Sequence, residues 1–74
     1  METLMPLLKQ LQSKLKELED KPVSLQEYNE YSTILSHALY VVRGEHPHAE
    51  FIAINDGEAL VVGSKMSAVS IPLE

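Results

Sequence analysis

Seventy-four residues without a cysteine make one small domain at most, free of disulfides, thiolate chemistry and cysteine-type zinc sites. Residues 1–22 are neutral, with Glu2, Glu17, Glu19 and Asp20 balanced by Lys9, Lys14, Lys16 and Lys21. The net charge of −5 therefore lies in residues 23–74, where seven acids face only Arg43 and Lys65. No clustered basic strip offers a site for a phosphate backbone, so nucleic acid is not an expected partner.

The opening segment METLMPLLKQLQSKLKELEDK has no basic n-region of the kind that begins a signal peptide. No run approaches the ~20 apolar residues needed to span a bilayer. A soluble, cytoplasmic chain is expected, with no membrane partner. Within the segment, Leu4, Leu8, Leu11, Leu15 and Leu18 recur at helical steps, and Met5 and Leu7 widen the seam. The spacing predicts a helix over about 3–20. Pro6 is tolerated in its first turn, where amides lack intrahelical acceptors. Glu17 with Lys21 and Lys16 with Asp20 are i,i+4 pairs for its wet side. The seam suits either packing within the domain or a coiled-coil dimer, and packing within the domain is the simpler account.

Pro22 stops this helix at Lys21. Ser24-Leu25-Gln26-Glu27 then has the form of a capping box, and the second helix is expected over about 24–43, with Gly44 as a left-handed C′ residue. On a helical wheel Leu25, Tyr28, Tyr31, Ile34, Leu35, Ala38, Leu39, Val41 and Val42 cover about 200°. A surface helix usually needs a stripe nearer 100°. One neighbour cannot cover such an arc, so contact on two sides is expected.

Beyond Gly44 the period changes to that of strands. Glu50 to Ile54 and Ala59 to Val62 flank Asn55-Asp56-Gly57, a hairpin signal. A two-residue loop pairs Asn55 with Glu58; a three-residue loop pairs Ile54 with Glu58. In either register both hairpin faces are apolar, Phe51 and Ala53 on one side and Ile52 and Ile54 on the other. A third strand follows, with Pro72 and a polar alternate face placing it at an edge. The expected fold class is α+β: two helices on one face of a three-stranded antiparallel sheet, with strands at about 49–54, 59–63 and 66–72. So much apolar surface on so short a chain calls for a partner, most simply a second copy.

Sites are sparse. His46, His48 and Glu50 could share a metal if the segment around Pro47 is extended. The set is incomplete, and a plain helix-to-strand connection explains the residues as well. No cofactor is expected. No serine sits in a nucleophile elbow, no glycine pattern forms a phosphate loop, and Glu50 with Glu58 is a weak carboxylate pair. An enzyme is not expected. Tyr28 and Tyr31 fit core positions with hydroxyls at the rim, while Tyr40 and His37 stand on the opposite face. The leading expectation is a homo-oligomeric, non-enzymatic protein-binding module that regulates or inhibits another protein. One alternative is an oligomer, such as a dimer, that binds a small metabolite or nucleotide between subunits. Tyr31, His37, Tyr40, Arg43 and Lys65 are the interface or ligand candidates. A metal-dependent activity at His46 and His48 is the second alternative.

Overall fold

The computed structural model describes residues 4–74. Helix α1 spans Leu4–Leu18 and α2 spans Leu25–Val42; strands β1 (Ala49–Asn55), β2 (Glu58–Gly63) and β3 (Val69–Pro72) follow. The sheet order is β1-β2-β3, both pairs antiparallel. The helices pack on each other and lie against β1, so the chain has the expected two layers. The expected helix start near residue 3 lies outside the described residues.

Local chemistry explains most of the boundaries. The Ser24 hydroxyl accepts from the Glu27 amide at 3.1 Å and the Glu27 carboxylate accepts from the Ser24 amide at 3.1 Å, so α2 starts on a complete capping box. Its other end departs from expectation, because Gly44 is not left-handed; Gly57 alone of the glycines has positive φ. The Gly44 and Glu45 amides instead donate to Val41 and Val42, three residues back, at 3.1 Å each. Such tight turns prolong the right-handed path until Pro47, which has no N–H to continue it. A left-handed residue ends α1 instead: Asp20 (φ 62) lies just past it. A short polar side chain tolerates that conformation better than most, and it turns the chain towards α2.

Asp20 also redirects the ion pairs. The expected Glu17–Lys21 and Lys16–Asp20 pairs do not form. Lys21 bonds Glu27 at 2.9 Å, while Lys14 lies 2.8 Å from Glu30 and 3.8 Å from Glu17. The Lys14–Glu30 pair ties the two helices together across their exposed side.

The hairpin takes the two-residue loop, pairing Asn55 with Glu58. Gly57 holds φ 72 there, a conformation that disfavours any side chain. Ile52, Val61 and Val69 form one row towards the helices, and Ile54, Ala59 and Ile71 form the next. A bulge between Ala49 and Phe51 lets Ala49 and Ile52 both face inward. Leu73 closes the core from beyond β3, its amide bonded to the Gly57 carbonyl at 2.9 Å. Pro72 therefore lies on the edge strand, where its missing N–H leaves no ladder bond unmade.

The core joins Leu4, Leu7, Leu8 and Leu11 of α1 and Ala38 and Val42 of α2 to Ala49, Ile52, Ala59, Val61 and Leu73. Full burial of a leucine such as Leu8 or Leu11 contributes roughly 1.5–3 kcal/mol. The buried α1 residues run from its first residue to its midpoint at Leu11, and the buried α2 residues lie in its C-terminal half. The sheet covers one end of the helical hairpin only.

Candidate functional site

Among the described residues two apolar surfaces remain open. The first is the sheet face away from the helices. Its centre is made by two cross-strand pairs, Phe51 with Val62 and Ala53 with Leu60. Phe51 is 46% exposed. The rim is polar: Asn55 is paired with Glu58, and Ser70 donates its hydroxyl to the Glu58 carboxylate. An antiparallel sheet with one wet face normally alternates apolar and polar residues. This one has a hydrophobic centre within a polar border, the composition of an interface core and its rim.

The second surface lies where the helices outrun the sheet. Leu15 marks the boundary. On one side it borders a cleft of about 220 Å³ against Ile54, Asn55 and Asp56 at the hairpin turn. On the other it lines a recess of about 460 Å³ with Leu18, Glu19, Val23, Tyr28 and Tyr31. Tyr28 is 59% exposed and Leu25, nearby at the start of α2, 76%. The expectation of Tyr28 as a core residue is thus corrected, because no strand reaches that turn of α2. Tyr31 is half-buried, and burial raises the pKa of its hydroxyl above the ordinary tyrosine value. The leucine seam divides in the same way, buried through Leu11 and only half-buried at Leu15 and Leu18. A third cleft, about 350 Å³ and lined by Pro6, Lys9, Lys14 and Ile34 among others, lies along the helices.

The segment around His46 and His48 is not extended. The Ala49 amide donates to the His46 carbonyl at 3.0 Å, closing a turn with Pro47 at its second position, where proline is favoured. That removes the geometry in which the two imidazoles would share an ion. Among the described residues no three His, Asp or Glu side chains are gathered as a metal would require. Arg43 ties this turn down, its Nε donating to the Ala49 carbonyl at 2.7 Å.

The remaining candidates are scattered. Tyr40 is 80% exposed, and His37 one turn before it is exposed as well. Tyr31 lies about 13 Å along α2 from Tyr40. Lys65 is exposed in the β2–β3 connection. None of the three clefts above takes a side chain from His37, Tyr40, Arg43 or Lys65. Sequence reasoning does not single out Phe51, Leu60, Val62, Tyr28 and Leu25 as site residues. Their signal was the apolar character of both hairpin faces and the width of the α2 arc. Among the described residues no helix is long and apolar enough to cross a membrane. No protein-family model, curated protein or solved structure matches the chain.

Proposed function

We propose that this chain is a non-enzymatic, oligomeric protein-binding module, a regulator or inhibitor of another protein, and that its outer sheet face is covered by a second copy. The observation that carries the reading is the apolar centre at Phe51, Ala53, Leu60 and Val62, with Phe51 exposed and the other three half-buried within a polar border. Such a face is self-complementary under a two-fold axis: the same residues meet their own copies. The Glu58 carboxylate, held by Ser70 at the margin, leaves no ionised group at the centre. A small domain gains from such pairing, because its own core covers little of its surface.

Binding of a different protein is the regulatory half of the reading, and the open end of the helical hairpin supports it. The scattered positions of His37, Tyr40, Arg43 and Lys65 give no comparable support to a metabolite pocket. The experiment is light scattering at micromolar concentration on wild type and Phe51→Glu. Wild type is expected to be at least a dimer, and the variant a folded monomer by circular dichroism. A monomeric wild type, or a variant that keeps the wild-type mass, would refute this assignment of the face.

A further inference from the structure

Past the end of the sheet the two helices have no third layer among the described residues. The α1 seam that is buried at Leu4, Leu8 and Leu11 continues into Leu15 and Leu18, which face the recess with Tyr28 and Tyr31 of α2. Two antiparallel helices here offer the groove that the sheet fills at the other end. From Leu15 to Leu18 on α1, and from Val23 just before α2 to Tyr31 within it, the groove accommodates about two turns of a third helix. Tyrosines on such a surface supply rigid apolar area with a polar tip.

Charge decides what fills the groove. Glu19 is the charged residue of its lining, and it makes no ion pair among the described residues. Lys14 is engaged by Glu17 and Glu30 and Lys21 by Glu27, while Lys16 makes no ion pair among the described residues and lines the neighbouring cleft at the hairpin turn, not the recess. Asp20 follows Glu19 and adds to the negative rim. A second copy seated tip to tip would set Glu19 and Asp20 against their own copies, which the fields oppose. We infer that the recess formed by Leu15, Leu18, Val23, Tyr28 and Tyr31 receives an amphipathic helix of another protein. That helix places a bulky apolar side chain between the tyrosines and a Lys or Arg against Glu19. This deepens the protein-binding half of the proposed function and does not depend on the sheet-face dimer.

The test uses two synthetic helical peptides of about five turns with the same leucine stripe, one flanked by lysines and the other by glutamates. Each is titrated into the isotope-labelled full chain and followed by amide shifts. The lysine peptide is expected to perturb residues 15–31 and to bind at least about tenfold more tightly than the glutamate peptide. Tyr28→Ala, an exposed change, weakens it by about tenfold or more. Glu19→Lys reverses the preference between peptides, whereas Glu45→Lys, with the same change in net charge away from the recess, leaves it intact. Several results would overturn the inference: no binding of either peptide, equal binding of both, shifts centred on the sheet face, or equal effects of the two charge reversals. Loss of self-association in Tyr28→Ala would overturn it too, by showing that a second copy occupies the recess. Failure of the dimer assignment is read separately, from the mass of the Phe51→Glu variant.

Discussion

The backbone of His48 occupies the space that a side chain at Gly63 would need. A Cβ on Gly63 would run into the His48 carbonyl, with its carbon 2.8 Å away and the Met66 sulfur at 2.9 Å. Gly63 continues the inward row of Ala59 and Val61, so the connection from α2 crosses beneath the end of β2. Backbone cannot rotate aside as a side chain can. Gly63→Ala is expected to destabilise by about 1–3 kcal/mol through overpacking, read as a lower urea midpoint at unchanged slope. A neutral substitution would mean that the connection does not pass there.

The start of α2 rests on two reciprocal bonds between Ser24 and Glu27. Ser24→Ala removes the acceptor for the Glu27 amide and is expected to lower stability by about 1 kcal/mol. Thermal unfolding of the variant checks this, and an unchanged midpoint would place the helix start elsewhere.

Glu27 and Glu30 give the chain an acid-sensitive component. The Lys21 ammonium, followed by the Ser24 amide, holds the Glu27 carboxyl below its ordinary range, and Lys14 does the same for Glu30. Both ionise more readily folded than unfolded. Their contribution is present above the ordinary value of 4.5 and is lost as pH falls through the lower folded values. Melting temperature is expected to fall below about pH 4.5. Glu27→Gln with Glu30→Gln should flatten that limb while keeping the amide-compatible cap. An identical acid limb in the double variant would show that the pairs contribute nothing.

The local devices of the fold were legible in the sequence because their causes are local. Ser24 to Glu27 marks a helix start by hydrogen bonding alone, Asp56-Gly57 marks a turn by backbone preference, and Pro72 marks an edge through its missing donor. The left-handed residue expected at Gly44 is not there, because tight turns through Gly44 and Glu45 carry the right-handed path on past α2. The reach of the sheet was not legible either. It ends beside Leu15, and that tertiary placement leaves Tyr28 exposed although on the wheel it lies only about 40° from the buried Val42. The sites suffered most from this. The tyrosine and the histidines drew notice by residue type, whereas Phe51, Leu60 and Val62 matter through what fails to cover them.

The turn at His46-Pro47-His48 is expected to be structural through its backbone and not its imidazoles. His46→Ala with His48→Ala should change stability by less than about 0.5 kcal/mol, as exposed or half-exposed substitutions usually do. The accompanying measurement is metal content of untagged protein, followed by zinc titration of both forms. Stoichiometric metal in wild type that is lost in the double variant would overturn the assignment of this segment as a connection.

The central claim is that a second copy covers the outer sheet face. Its most direct test is an isotope-filtered nuclear Overhauser experiment on a mixed sample of labelled and unlabelled chains, at a concentration where light scattering reports association. Intermolecular contacts are expected between the Phe51 ring and the methyl groups of Leu60 and Val62. Intermolecular contacts confined to the helices, or a chain that stays monomeric in that sample, would contradict the account.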